Sequence, residues 1–129
     1  MATGLPAATG DVLTAATVNG LVAFTINADA TADYTAVLAD QYQVLQPMNK
    51  ATAIAFKIPT DASVAFPTGT AITIYNKGVG AVTVSAVTSG TTTVVSAGAV
   101  PAAPTLAQYK TCVAIKLAAN SWTVVGAIA

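Results

Sequence analysis

Histidine, glutamate and arginine are absent from this chain of 129 residues. All its side-chain charge lies on five aspartates (Asp11, Asp29, Asp33, Asp40, Asp61) and five lysines (Lys50, Lys57, Lys77, Lys110, Lys116). Without histidine, the side chain that moves protons most readily near neutrality is missing. Without arginine, the usual bidentate clamp for phosphate and carboxylate is missing too. A single cysteine, Cys112, offers no intrachain disulfide, and no second thiol or imidazole stands ready to share a metal. Eight aromatics are too few and too scattered for the two girdles of a membrane barrel. Every apolar run is broken before about 18 residues, so no membrane-spanning helix is expected. The first basic residue is Lys50 and no early apolar core follows a charged start, so no secretory signal is expected.

The charged fraction is only 8%, against roughly 25% in ordinary soluble domains, while 54% of residues are hydrophobic. Much of that is alanine, so the core must come from Val, Ile, Leu and Phe. A surface so poor in charge repels its own copies weakly and suits packing within an assembly. Net charge is zero with no lysine cluster, which argues against nucleic acid and anionic lipid as partners.

From about Tyr34 onward the apolar residues recur with period two. Ile54, Phe56 and Ile58 alternate with Ala53, Ala55 and Lys57; Ile72 and Ile74 alternate with Thr73 and Tyr75. Val82 and Val84 alternate with Ala81, Thr83 and Ser85. Val113, Ile115 and Leu117 oppose Cys112, Ala114 and Lys116, and Trp122, Val124 and Ile128 alternate with Thr123, Val125 and Ala127. Such alternation, rich in β-branched residues, predicts strands with one face in a core. Asn76-Lys77-Gly78 predicts a tight hairpin with Gly78 at positive φ, and Ala118-Ala119-Asn120-Ser121 predicts a second turn. Pro59 ends one strand, Pro67-Thr68-Gly69 turns the chain into the next, and Gly98–Pro104 is a loop or an edge-crossing connection. The expected fold is all-β: a small antiparallel β-sandwich or barrel over residues 34–129, preceded by a short extended N-terminal anchor over residues 1–33. Within that anchor, Thr14 could cap a helical turn stopped by Gly20, Leu21–Ile26 could form a strand, and Asn27–Asp33 reads as a polar linker. The segment is either a loose tail or an anchor that orders against a partner.

No catalytic, cofactor-binding or metal-binding residue is assigned. Ser63, Ser85, Ser89, Ser96 and Ser121 have no histidine as base and no Ser-x-x-Lys or Gly-x-Ser-x-Gly context. Asp29, Asp33 and Asp40 fall where aspartate commonly serves turn chemistry, and no calcium-loop spacing occurs. Gly78-Val79-Gly80 lacks the continuation of a phosphate loop. Trp122 could stack on a sugar, but on a core-facing strand position it reads first as packing. The expectation is a protein that is not an enzyme.

Several segments also resemble a small β-module of tailed-bacteriophage virion proteins, found in tail-fibre and appendage proteins. They are Tyr34, Leu38-Ala39-Asp40, Met48-Asn49, Ile58-Pro59, Ser63–Thr70, Val79–Val84, Leu106–Tyr109 and Trp122–Gly126, in that order. Phe66-Pro67-x-Gly69-Thr70 and Trp122–Gly126 are the most specific of these. Upstream, Gly10–Asn19 is similar to an opening of phage virion proteins. The chain departs from the module at Gln41-Tyr42-Gln43, where a Gly-Lys pair is usual, and in the connection Ala97–Pro104.

The resemblance implies a virion component on the particle exterior. One reading is a capsid decoration protein of the cement or head-fibre type, held to the major capsid protein or other virion proteins by its N-terminal segment. The other is a tail-fibre or appendage tip binding a host surface receptor or glycan. A short lead plus one knob, with no shaft repeat, favours decoration. Homo-oligomerisation is expected, with a three-fold cluster suggested by virion symmetry, and no membrane insertion.

Overall fold

In the computed structural model, which describes residues 23–129, consecutive strands step back and forth between two sheets. The strands are β1 (Thr25–Ile26), β2 (Tyr34–Thr35), β3 (Val44–Met48), β4 (Ile54–Ile58) and β5 (Ala71–Asn76), followed by β6 (Val82–Ala86), β7 (Thr93–Ser96), β8 (Thr105–Leu106), β9 (Thr111–Ala118) and β10 (Ser121–Gly126). A short 3-10 turn, Leu38–Gln41, lies between β2 and β3. The larger sheet runs β1-β3-β5-β9-β10-β7 and the smaller runs β2-β4-β6-β8. The protein is therefore all-β and sandwich-like, as the alternation predicts.

The pairing is mixed rather than uniformly antiparallel as expected. Five of the eight strand pairs are parallel: β1–β3, β3–β5, β2–β4, β4–β6 and β7–β10. The cause is the stepping itself. Parallel neighbours need a crossover connection, and for the four parallel pairs among β1 to β6 that crossover is a single strand of the opposite sheet. Along β1 to β6, strands two apart thus return to the same sheet pointing the same way; β8 departs from this by pairing antiparallel with β6, and β7 meets β10 parallel with β8 and β9 between them. Among the described residues only β9 and β10 form a hairpin, turned by Ala119-Asn120 with Asn120 at φ 50.

The predicted hairpin at Asn76-Lys77-Gly78 is consequently not formed, because β5 and β6 belong to different sheets. The segment is an arch between sheets, and Gly78 does not adopt positive φ. Gly78 is required for close approach instead: a Cβ there would overlap the backbone of Lys50, and one at Gly80 would overlap Thr52. Asn76, fully buried, holds the arch together. Its Nδ2 donates to Gly80 O and Leu106 O at 2.8 Å each, and its Oδ1 accepts from Gly78 N at 3.0 Å. Such polar atoms are tolerated inside because each is partnered.

Ile54, Phe56 and Ile58 of β4 and Val82 and Val84 of β6 face Ile72 and Ile74 of β5 and Trp122 and Val124 of β10 in one core. Trp122 meets Phe66 edge-on at 5.6 Å between ring centroids. On β9 the larger residues do not line this core. Cys112, Ala114 and Lys116 point inward, whereas Val113 and Ile115 are half-buried and Leu117 is exposed. The inward lysine is neutralised in place: its Nζ donates to Asp61 Oδ1 at 2.8 Å and to Phe66 O at 2.6 Å. Asp61 in turn accepts from Asn120 N, and Asn120 Oδ1 accepts from Asp61 N. This clasp ties the loop after β4 to the β9–β10 hairpin.

The described part of the anchor, residues 23–33, is bonded to the knob. β1 pairs with β3, Ala30 bridges Met48, and Asp33 Oδ1 accepts from Ala55 N at 2.9 Å. The Leu21–Ile26 strand is present at Thr25–Ile26; Leu21 and Val22, the capped turn after Thr14 and the Gly10–Asn19 opening lie outside the described residues.

Candidate interaction surfaces

The residues weighed for chemistry are dispersed among separate structural contacts. Asp29 pairs with exposed Lys77 at 3.0 Å and accepts from Asn49; these bonds hold its carboxyl below the usual range. Asp33 holds β4 as described above. Asp40 is buried beside the 3-10 turn, where it accepts from Tyr34 Oη at 2.6 Å, Asn27 Nδ2 at 3.1 Å and Val37 N at 3.0 Å. Burial and then the Asp40 carboxylate push the Tyr34 phenol well above its ordinary range. Gln46 extends this network, accepting from Asn27 and donating to Ala28 O and Pro47 O. The Val37 N bond to Asp40 is the local turn chemistry expected of an aspartate there, whereas the bonds of Asn27 to Asp40 and Gln46 reach 13 and 19 residues along the chain and are not indicated by it.

Ser63 and Ser96 hydroxyls are engaged in turns, with Thr60 and with Pro101 O and Gly98 N respectively. Trp122 is a core residue, buried with only 1% of its surface exposed, so its ring faces cannot meet a sugar. Cys112 is buried, and burial pushes its thiol up to about 12. Among the described residues no group of three His, Cys, Asp or Glu side chains converges as a metal site. None of the described helices is long and apolar enough to cross a membrane.

What the fold does organise is a difference between its two outer faces. The outward residues of the smaller sheet include Thr35, Lys57, Thr83, Ser85 and Thr105, an ordinary solvated strand surface. The outward face of the larger sheet carries no charged side chain on any of its six strands. Register places Leu45, Thr73, Val113 and Val125 in one row across it, and Ala71, Ile115, Thr123 and Val95 in the next. Ile26, Val95, Leu117 and Val125 remain 47–62% exposed on this face. Six strands at about 4.8 Å spacing span roughly 24 Å, giving a face on the order of 500 Å². Only part of that area is exposed apolar surface, since Thr73, Tyr75 and Thr123 share the face and Thr73 is itself buried. A second exposed set, Val37, Leu38 and Tyr42, surrounds the 3-10 turn, and Tyr109 stands alone at φ 64.

The fold and its surfaces thus define an all-β, sandwich-like protein with one uncharged sheet face. The chain matches no protein-family model, no curated protein and no solved structure.

Proposed function

We propose that this chain is a bacteriophage virion structural protein that works by association. In this reading it is a capsid decoration protein of the cement or head-fibre type on the particle exterior. Its N-terminal segment attaches it to the major capsid protein or a neighbouring virion protein, and its knobs associate with one another. The observation that carries the reading is the uncharged, half-apolar face of the larger sheet, set against a polar face on the smaller one. Interfaces that persist are depleted of charge at their centres, and the exposed Ile26, Val95, Leu117 and Val125 gain by being covered. The similarity of Phe66–Thr70 and Trp122–Gly126 to the phage module supplies the setting. No group in the reading performs chemistry or holds a cofactor.

Purified full-length protein and a variant lacking residues 1–22, which keeps β1 and the Asn27 and Asp33 bonds to the knob, are mixed with particles stripped of their own copies, then sedimented. Full-length protein is expected to pellet with the shells and the truncated protein to remain in the supernatant while keeping its strand spectrum. Full decoration by the truncated protein would overturn the anchoring role. Binding of the full-length protein to a glycan array, lost on replacing exposed Tyr42 and Tyr109, would instead support a tail-appendage tip.

A further inference from the structure

We infer that β7 is the edge through which two copies of this chain join, forming one continuous sheet across a two-fold axis. This deepens the self-association part of the reading above and is independent of attachment to a capsid.

The larger sheet ends at β7, which is hydrogen-bonded on one side only, to β10. The parallel register, with Thr93 N donating to Asn120 O, directs the backbone groups of Thr93 and Val95 toward β10. The N–H and C=O of Val94 and Ser96 therefore point away from the sheet, and among the described residues no partner meets them. Edge strands of natural proteins are commonly blunted by lysine, proline, a bulge or extreme shortness. β7 has none of the first three, and at four residues it is longer than the other sheet edges β1, β2 and β8, each of two residues. Its sequence, Thr93-Val94-Val95-Ser96, is β-prone and uncharged.

A second copy of β7 satisfies this edge with its own geometry. Antiparallel apposition about Val95 sets Val94 opposite Ser96 of the other copy, and Ser96 opposite Val94. The two pairs exchange four N–H···O bonds, and Val95 meets its counterpart in the closely spaced, non-hydrogen-bonded position. A two-fold contact brings each residue against a copy of its own surroundings, so a charged edge would repel itself. Here the neighbouring outer row, Ile115, Thr123 and Val95, carries no charge and continues directly into the same row of the partner. The symmetry inferred is two-fold, in place of the three-fold cluster suggested by virion symmetry.

The test uses the full chain in sedimentation equilibrium at about 100 µM, where even modest interfaces are populated. The wild type is expected at twice the 12.7 kDa chain mass, and Val95→Lys at the single mass with an unchanged strand spectrum and melting temperature. Val95→Cys is expected to give a disulfide-linked dimer under mild oxidation, while Val125→Cys, one strand further in, gives none. This second pair keeps the test decisive should Val95→Lys fail to fold. A monomeric or trimeric wild type, or a dimer indifferent to Val95→Lys, would overturn the inference; so would equal cross-linking at Val125. A dimer that does not bind shells leaves this edge intact and removes the capsid reading instead.

Discussion

Replacing Asn76 by alanine separates the arch seen here from the hairpin that the local sequence suggests. In a hairpin turn, Asn76 would face water and its loss would cost under about 1 kcal/mol. In the structure it is fully buried and bonds Gly80 O, Leu106 O and Gly78 N. Gly78 N keeps a second acceptor, Met48 O at 3.2 Å, so two carbonyls bear most of the loss. Leaving buried polar groups unpartnered costs about 1–3 kcal/mol each, and the amide also leaves a small void. Together these give roughly 3–5 kcal/mol, a large share of the 5–15 kcal/mol typical of a domain. For a chain of this size the corresponding fall in Tm is about 12–20 °C. Urea unfolding followed by circular dichroism, with intrinsic Trp122 fluorescence as a second probe, measures it. A loss below about 1 kcal/mol would refute the arch and the connection between sheets that it makes.

Two further predictions concern buried ionisable groups. The Lys116 ammonium, followed by Asn120 N, holds the Asp61 carboxyl below its usual range despite the opposing effect of burial. A lowered folded-state value means this stabilisation is complete above the ordinary carboxylate range and lost as pH falls through the lowered one. Urea midpoints should therefore fall on acidification for the wild type and fall less steeply for Lys116→Met; equal acid slopes would contradict the clasp. Cys112, buried with its thiol raised to about 12, should resist a thiol reagent at mild alkaline pH in the native protein and react fully in denaturant. Rapid native labelling would place it outside the core.

The sequence made the strands legible wherever burial follows alternation. Ile54, Phe56 and Ile58 announce β4 and its inward face, and Asn120 marks the one hairpin. β9 was legible as a strand but not in its facing. A lone Cys112 in an alternating apolar segment suits burial, but Lys116 on the same side looks like a solvent residue until Asp61, 55 residues earlier, is seen to receive it. The Asn76 turn misleads for the same reason, since its deciding partner, Leu106 O, lies 30 residues away. Period-two patterning reports that a strand has two sides; it carries no information on which strand lies beside it. The interaction surface divides likewise. Scarcity of charge shows in composition, but its concentration on the larger sheet, and the open edge at Val94 and Ser96, exist only once sheet order is known.

The proposal that this knob functions by joining a virion is tested most directly by counting it, with quantitative mass spectrometry against isotope-labelled peptides, in purified phage particles raised from a source that carries its gene. Decoration predicts hundreds of copies per particle, in fixed ratio to the major capsid protein. About a dozen copies or fewer would indicate a tail device, and none at all would contradict the account.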